Sequence, residues 1–233
     1  MEKPKVSYSM LNLYMTCQKA FYYRYVLGLD YEDTSVYAEA GKLFHKTVEV
    51  FDTKQDALLN LDTELTDELE PFRSRLEKAI TTTYDLLFDT LGISRNLAEF
   101  EKEILVDAGD YLLHSFFDVV QNDLVFDWKF SKTNPTHTKH RLQAAFYTRA
   151  FELYYGHQPK AIIFVSPETG MRAVFRPEYL QNDIHEVFDV LVPKILHDLK
   201  TSPYWPMTGR YQNRCQYCGF KTRCQNEFRQ IGS

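Results

Sequence analysis

The stretch "FDVVQNDLVFDWK", residues 117–129, indicates how the middle of this chain folds. Short apolar runs on either side of its central Asn-Asp pair are typical of two antiparallel strands joined by a tight turn. With Asp118 on the first strand and Asp127 on the second, the turn brings the two carboxylates together. Lys129 then points to the same side as Asp127, because side chains two residues apart on a strand share a face.

The convergence of two carboxylates and an ammonium group indicates a hydrolytic metal site. Acidic side chains held this close repel one another unless a divalent cation neutralises them. With Mg²⁺ or Mn²⁺ bound, water can attack a phosphodiester, and Lys129 would orient that water or stabilise the developing charge. Glu101 or Glu103, on the strand before, could support the metal or face solvent. An exposed hairpin with one salt bridge is the alternative interpretation.

The sequence around this hairpin predicts a mixed sheet. Residues 101–130 alternate short apolar runs with turn signals, which predicts an antiparallel meander of three strands. Helical spacing follows at 139–155. "KAIIFVS" and "MRAVFR" predict two further strands, and a last long helix is expected over 177–200. This order of elements predicts an α/β fold in which helices flank a mixed sheet.

Upstream of the meander, residues 1–95 are predicted to be mainly helical. One helix is expected over 7–26, with Ser7 as its N-cap, because apolar residues recur there at helical spacing. Two further helices are expected over 39–51 and 72–91. No internal repeat or flexible linker interrupts the sequence, so we expect one domain that spans the whole chain. Its predicted parts are the helical region at 1–95, a core at 96–200 and a cysteine-bearing tail at 201–233.

Composition excludes several classes of protein. Aromatic residues make up 15% and charged residues 25% of the chain, which is typical of a folded soluble protein and not of a disordered one. The first residues lack the apolar core of a signal peptide, and no apolar run is long enough to span a bilayer. We therefore expect a protein of the cytoplasm, in a bacterial, archaeal or phage-infected cell, without a membrane partner.

The net charge of −5 conceals an uneven distribution. Residues 49–70 contain eight acids and one lysine, whereas residues 129–149 contain five Lys or Arg and no acid. A second basic run lies in the tail. Each run can be a solvated face, but both basic runs adjoin the chemical motifs, which favours a polyanionic partner.

Two predicted helices carry further candidate residues. Gln143 and Tyr147 are four positions apart and so share a helix face, from which they could hold a phosphate or Lys129. Gly41 is expected to open a helix on which His45 follows one turn later. An imidazole is a suitable ligand for Mn²⁺ and for Mg²⁺ sites with mixed donors. Ordinary packing is the alternative for all three polar residues.

Three of the four cysteines lie within "RCQYCGFKTRCQ", residues 214–225. In a reducing compartment, cysteines at this spacing are typical of metal ligands or thiols, and disulfides are the less favoured alternative. The stretch offers three ligands, so a four-cysteine site needs one more from elsewhere in the chain.

Several segments in a fixed order resemble a known family. They are "SYSMLNLYMTCQKAFYYRYVLGL", "GKLFHKTVE", "FFDVVQNDLVFDWKFSK", "QAAFY" and the cysteine tail. This order resembles the RecB-like branch of the PD-(D/E)XK nucleases, above all its iron-sulfur members, the AddB-type nuclease domains and the CRISPR-associated exonucleases of the Cas-four type. The resemblance extends over nearly the whole chain and implies a restriction-endonuclease-like core. Phe117 replaces the nominal proline of the motif, and Ser115 a frequent glycine.

The resemblance implies a metal-dependent DNA nuclease, with exonuclease action on single-stranded DNA or DNA ends. His45, Asp118 and Asp127 would bind the catalytic Mg²⁺ or Mn²⁺, and Lys129 would be the lysine of the motif. All of these chemical groups are present in the sequence.

The resemblance also assigns Gln143 and Tyr147 to a helix that supports the active site and contacts DNA. The DNA would follow a basic, aromatic-lined passage, because phosphates attract Lys and Arg while unpaired bases stack on aromatic rings. Tyr22, Tyr23 and Arg24 are candidates for that passage, with buried packing as the alternative for the two tyrosines.

For the cysteines, the resemblance supplies the missing ligand. It implies that Cys17 joins Cys215, Cys218 and Cys224 in binding a structural 4Fe-4S cluster, which would tie the two ends of the sequence together. A zinc ion held by four thiolates is the competing interpretation. Zinc ribbons usually pair two knuckles close in sequence, so the distant Cys17 favours iron and sulfur.

A DNA-binding or assembly subunit with little activity of its own is the alternative function. The sequence contains no P-loop motif, so we do not expect this chain to unwind duplex DNA alone. It would act on ends made by others or within a complex, with a helicase, a recombinase or a CRISPR integrase as the possible partner. Recombination and repair, phage DNA processing and CRISPR adaptation all remain open at the level of sequence.

Overall fold

A six-stranded mixed sheet lies at the centre of the computed structural model, which describes residues 3–30, 35–131, 135–201, 215–216 and 218–231. Its strands are β1 (Lys5–Val6), β2 (Glu99–Asp107), β3 (Leu112–Gln121), β4 (Leu124–Trp128), β5 (Ala161–Val165) and β6 (Arg172–Phe175). The order across the sheet is β1–β3–β4–β5–β6, and β2 pairs with the other edge of β3. The β1–β3 and β4–β5 pairs are parallel, and the others are antiparallel.

Helices cover both faces of this sheet. They are α1 (Tyr8–Thr16), α2 (Gln18–Phe21), α3 (Val36–Val50), α4 (Lys54–Glu64), α5 (Arg73–Tyr84), α6 (His137–Tyr155), α7 (Gln181–His185), α8 (Val192–Thr201) and α9 (Lys221–Ile231). Turns of π-helix follow α2, α5 and α7, at Tyr22–Val26, Asp85–Thr90 and Glu186–Leu191, and short 3₁₀ turns lie at Glu70–Phe72 and Pro177–Tyr179. The predicted mixed sheet with flanking helices is confirmed. Within the described ranges, no helix is long and apolar enough to cross a bilayer.

A tight turn joins β3 to β4. Asn122 and Asp123 have φ angles of +53° and +65°, the left-handed conformation that both central residues of a type I′ turn require. Asn and Asp tolerate this conformation better than other residues that carry a Cβ. The turn fixes the register of the hairpin and confirms the prediction made from the Asn-Asp pair.

Two apolar cores lie on opposite faces of the sheet. On one face, Phe117 of β3 and Val125 of β4 pack with residues of α1, α6 and α8. On the other face, Phe126 of β4 packs with residues of α3, α4 and α5. Full burial of each such side chain contributes roughly 1.5–3 kcal/mol, so the three layers depend on one another for stability.

Strands β2 and β3 both change the face they present within a few residues. Phe117 packs on the α6 side but Val119, two residues on, packs on the α3 side, whereas a regular strand would keep both on one face. In β2 the same change separates Ile104 from Phe100. Glu101 lies within that change and has a φ of +43°, which is uncommon for a residue other than glycine.

The N-terminal helix differs from its prediction. Ser7 is the N-cap as expected, because its Oγ accepts a hydrogen bond from the backbone N–H of Met10 at 3.2 Å. The single helix predicted over 7–26 is wrong, however, because Cys17 adopts an extended conformation that ends α1, and α2 begins after it. The break places the Cys17 side chain at a helix junction.

Three other predictions also need correction. Gly41 lies inside α3 and does not open it, and a Cβ at this position would lie 4.0 Å from Cβ of Phe130, a close approach of helix to loop. Helix α4 was not predicted, although its N-cap Thr53 accepts from the N–H of Asp56 at 3.1 Å. The helix predicted over 177–200 starts instead at Gln181, after the 3₁₀ turn, and runs to Thr201 with a π-helical stretch between α7 and α8. The single-domain boundaries stay a prediction, and residues 202–214 lie outside the described residues.

Candidate active site

Three carboxylates lie side by side on neighbouring strands. The register of β2 against β3 places Glu101 opposite Asp118, at the one position where this ladder is interrupted. The register of β3 against β4 places Asp127 opposite Asp118, one residue beyond the last ladder pair. The backbone N–H of Trp128 donates to Oδ2 of Asp118 at 2.5 Å. Asp118 and Asp127 are 8% and 3% exposed, so both acids are buried in the centre of the molecule.

His45 of α3 completes a candidate metal site with two of these acids. Its Nδ1 lies 3.5 Å from Oε1 of Glu101 and 3.7 Å from Oδ1 of Asp118. One ligand atom from each of these three residues lies within 4.8 Å of the other two. A nitrogen and two carboxylate oxygens at this spacing suit Mg²⁺ or Mn²⁺, and their combined negative charge favours a cation.

The structure separates Glu101 from Glu103, which the sequence left as equals. Oε1 of Glu103 lies 2.8 Å from Nε2 of His114, and the Glu103 side chain is 57% exposed. Glu101 instead joins His45 and Asp118, because its left-handed backbone re-aims the side chain out of the regular alternation of β2. Strand periodicity does not reveal such an irregularity, so the sequence carried no signal for Glu101.

Asp127 is held by the helix predicted to support the site. The hydroxyl of Tyr147 donates to Oδ2 of Asp127 at 2.7 Å, and Nε2 of Gln143 donates to the same oxygen at 3.3 Å and to the Tyr147 hydroxyl at 2.9 Å. Both helix residues thus contact this acid and not Lys129, which was the partner considered from sequence. Among the described residues, Asp127 is not part of the group with His45, and its role as a metal ligand stays a prediction.

Lys129 follows β4 and points back to Asp127. Its Nζ lies 2.5 Å from Oδ1 of Asp127 and forms an ion pair with it. Its backbone N–H donates to the carbonyl of Val165 at 2.9 Å, which fixes the start of the side chain. The side chain is 30% exposed, so the ammonium can reach a bound molecule.

Burial and like charges shift the titration of this centre. Burial, and then the neighbouring carboxylate of Asp127, raises the pKa of Asp118 to about 7, against the opposing effects of His45 and Lys129. Burial lowers the pKa of His45, but a hydrogen bond to Glu101 and the nearby carboxylates outweigh it, so that pKa is raised. A cation bound among these groups would relieve the repulsion.

Helix α3, which carries His45, is anchored at its C-terminal end. Arg95 donates to the backbone carbonyls of Val48 at 2.5 Å and Glu49 at 2.6 Å, and also to that of Phe51. These carbonyls have no partner within the helix, so the guanidinium satisfies them and complements the negative end of the helix dipole. The anchor sets where His45 meets the sheet.

Family comparison agrees with this site. A family model described as the PD-(D/E)XK nuclease superfamily matches residues 5–225. The chain belongs to this superfamily. No curated protein matches the chain significantly.

One solved structure has a similar fold. The crystal structure of a candidate exonuclease from Eubacterium rectale has a TM-score of 0.62 and 14% sequence identity, over 85% of this chain and 83% of its own. A second structure, of SSO0001, is 15% identical over 96% of this chain and 87% of its own. Its TM-score is 0.44, too low to support a statement about the fold.

Two clefts meet at Lys129 in this superfamily member. The first cleft has a volume of about 730 Å³ and contains the candidate metal ligands. The second cleft has a volume of about 540 Å³ and lies between the N-terminal helices and Lys129. Side chains that line the second cleft are Tyr8, Ser9, Asn12, Leu13, Arg24, Tyr25, Lys129 and Gln143.

The basic run at 129–149 is less available than its sequence indicated. Arg141 pairs with Asp183 of α7, and Arg149 pairs with Glu152 at 2.7 Å. Lys129 therefore carries most of the positive charge that the described part of this run presents to the active site.

The four cysteines are neighbours where the N-terminal helices meet α9, and their role as ligands of a cluster stays a prediction. Tyr23, Ala20 and Phe220 form a small core there, in which the Tyr23 and Phe220 rings are 5.3 Å apart. The half-buried members of the group pack against this core, and they are Cys17, Cys218 and Cys224. Cys215 is exposed, and all four cysteines are free thiols in the described structure. We refer to these four residues as the cysteine cluster.

Electrostatics support the proximity of these thiols. Burial, and then the neighbouring groups of Cys17, Cys218 and Cys215, raises the pKa of the Cys224 thiol, while Lys19 opposes the shift. Four neighbouring thiolates would repel one another unless a positively charged metal centre lay between them. The donor set therefore fits a group that carries iron or zinc.

Proposed function

We propose that this chain is a metal-dependent DNA nuclease that removes nucleotides from single-stranded DNA or DNA ends. One observation carries the proposal: the ligand atoms of His45, Glu101 and Asp118 converge beside the Asp127–Lys129 pair, in a member of the PD-(D/E)XK nuclease superfamily. An inert scaffold would not need three buried or half-buried acids in contact, because each costs stability when it is charged.

Each residue has a distinct part in the proposed reaction. A divalent cation bound by His45, Glu101 and Asp118 would lower the pKa of water and offset the charge of the phosphate. Lys129 holds the attacking water or the phosphate oxygen that gains charge, because its ammonium lies at the edge of the cleft. Tyr147 keeps Asp127 oriented toward that ammonium. Burial and the carboxylate of Asp127 raise the pKa of Tyr147, so its hydroxyl remains a donor.

DNA as the substrate has support from the rim of the first cleft. Lys42 and Lys46 line it, and their side chains are 71% and 58% exposed. Their partners, Glu39 and Glu64, form ion pairs that solvent screens, and such pairs contribute little. A phosphate backbone can therefore replace these partners at small cost.

The test is DNA degradation by the purified chain with Mg²⁺ or Mn²⁺. We expect labelled single strands to shorten, and Asp118→Asn to lower the rate about a thousandfold, since metal ligation contributes several kcal/mol to the transition state. Glu103→Gln is the matched control, because Glu103 shares a strand with Glu101 but faces away. Full activity of Asp118→Asn, or absence of metal-dependent cleavage in the wild type, would overturn the proposal. The second outcome would favour a binding or assembly subunit.

We also propose that the cysteine cluster binds a structural 4Fe-4S group. The support comes from the origin of the ligands: Cys17 lies on the N-terminal helices and packs against the same small core as Cys218 and Cys224. Zinc ribbons usually take their ligands from two knuckles close in sequence, so a ligand this distant favours an iron-sulfur group. Anaerobic purification with an absorption spectrum tests this. A brown protein that loses its colour on Cys17→Ala is expected, and a colourless protein that contains zinc would refute it.

The proposed setting is the cytoplasm of a bacterial, archaeal or phage-infected cell. DNA is the first partner, and a helicase, recombinase or CRISPR integrase is the second. The gene neighbourhood distinguishes the three settings: repair and recombination, phage DNA processing, or CRISPR adaptation.

A further inference from the structure

We propose that the second cleft binds one unpaired nucleotide of the substrate strand, next to the phosphate that is cut. Tyr25 stacks on the base and Arg24 holds a backbone phosphate. The inference rests on the proposed nuclease function and adds a specific requirement to it: the strand must be unpaired on the Lys129 side of the cut.

The position of the cleft is the first argument. Lys129 lines both clefts, and Gln143, which contacts Asp127, lines the second. A strand that crosses Lys129 would place one phosphate beside the metal ligands and the neighbouring nucleotide in the second cleft. A volume of about 540 Å³ is typical of a site for a small organic group, so the cleft has room for one nucleotide.

The lining has the chemistry that recognises a nucleotide of any sequence. Tyr25 lines the cleft and is 36% exposed, and its ring packs beside that of Phe21 at 5.5 Å. An aromatic ring at such a place can stack on any base. Tyr8 lies deeper, beside the ring of Phe146 at 6.1 Å. Ser9 and Asn12 are exposed on α1 and offer hydrogen bonds to the sugar and base.

Arg24 is available for a phosphate. Its side chain is 41% exposed, and its contacts with the carbonyl of Leu29 and the carboxylate of Asp30 are long, at 3.4 Å and 3.5 Å. The Asp30 side chain is fully exposed, so this ion pair is weak and a phosphate can displace it.

The second cleft contains only part of the DNA passage that was expected from the sequence. Tyr23 is completely buried against Phe220, and the Tyr22 ring is covered by the ammonium of Lys19 at 5.1 Å. Of the three candidates for that passage, Arg24 is the one that lines the cleft.

Binding of a short fluorescent oligothymidylate to the Asp118→Asn protein in EDTA tests the subsite without cleavage. We expect Tyr25→Ala to weaken binding about tenfold, the usual effect of losing one stacked base, and Tyr25→Phe to bind normally. Tyr179→Ala is the matched control, because Tyr179 is 70% exposed and distant from the cleft in sequence. Equal affinity of the Tyr25→Ala and Tyr179→Ala proteins would overturn the proposal.

The salt dependence of the same binding isolates Arg24. Loss of one phosphate contact lowers the slope of log affinity against log salt by about 0.7 for a single strand. We expect this change for Arg24→Ala and not for Arg176→Ala, an exposed arginine after β6. An unchanged slope for Arg24→Ala would contradict the phosphate contact.

A series of oligonucleotides, each with one abasic position, identifies the nucleotide that occupies the second cleft. One abasic position in the oligonucleotide should remove the effect of Tyr25→Ala, because no base remains to stack, and an effect that survives at every position would overturn stacking. Thymidine monophosphate distinguishes a product site from a strand site: we expect no competition at concentrations that saturate the strand, and full competition would overturn the strand assignment. If DNA is not cleaved by the wild type but the Tyr25 effect persists, the nuclease proposal fails and the subsite stands.

Discussion

Two regions of the molecule, the carboxylate centre of Glu101, Asp118 and Asp127 and the cysteine cluster, are assembled in opposite ways. Glu101, Asp118 and Asp127 come from three adjacent strands, and the register between those strands sets their spacing. Cys17 and Cys224 come from segments almost the whole chain apart, with a three-residue apolar core between them. A sheet can hold repelling charges in place by itself, whereas ligands on separate segments depend on the group that they bind.

The largest expected effect is a loss of DNA cleavage at the carboxylate centre that leaves the cysteine cluster unchanged. Asp127→Asn removes the charge that pairs with Lys129, so we expect DNA cleavage to fall about a thousandfold. The visible absorption of the 4Fe-4S group proposed for the cysteine cluster should not change, because the sheet keeps its ladder. Cleavage rates on labelled DNA and a spectrum of the same sample measure both. Loss of the colour in this variant would contradict the independence of the two regions.

Cys17→Ser should instead weaken the cysteine cluster and leave the carboxylate centre unchanged. Without the fourth ligand, the tail loses its link to the N-terminal helices, and we expect the free energy of unfolding to fall by roughly 3 kcal/mol, as for loss of a covalent cross-link. Urea unfolding under anaerobic conditions measures this change. The affinity of the carboxylate centre for Mn²⁺ should stay within about twofold of the wild type. A large loss of Mn²⁺ affinity would show that the two regions are coupled.

A smaller effect is expected where α6 supports Asp127. Tyr147→Phe removes the hydroxyl at 2.7 Å from Oδ2, and we expect kcat to fall about 10- to 100-fold with little change in KM. The same substitution added to Asp127→Asn should cause no further loss, because Tyr147 acts through Asp127. Additive losses in this double-mutant cycle would refute a positioning role.

The smallest effect concerns the stability of the metal-free protein. The pKa of Asp118 is raised from 3.8 to about 7, so its contribution to stability is complete below pH 4 and is lost as the pH rises through 7. Asp118→Asn avoids this loss. We expect it to be more stable than the wild type by about 1 kcal/mol at pH 8 in EDTA, with no difference at pH 4. Thermal unfolding at the two pH values measures this, and a destabilised variant at pH 8 would contradict it.

Much of the fold could be predicted because local patterns decide it. The Asn-Asp turn fixes the β3–β4 hairpin, and the segments "KAIIFVS" and "MRAVFR" predict β5 and β6. Helix α6 followed from its apolar spacing. The break at Cys17 could not be predicted, because its extended conformation follows from tertiary packing at the helix junction and not from helix propensity.

Part of the candidate active site could be predicted from the sequence. Asp118, Asp127 and Lys129 are close in sequence, so strand geometry alone brings them together. His45 required the family resemblance, since nothing local relates α3 to the sheet. Glu101 was left undecided, because its role depends on a backbone irregularity that strand alternation does not describe.

The contact between the two ends of the described chain also has a consequence for biosynthesis. Lys19 pairs with Glu227 at 2.8 Å, and Tyr23 packs on Phe220, so partners in this contact are about 200 residues apart in sequence. At roughly 5–20 residues per second, a ribosome needs about 10–40 s to add the later partner after the earlier one has been made. Throughout that interval the apolar surface of Tyr23 lacks its partner ring. The packing of the N-terminal helices is thus completed only after α9 has been synthesised.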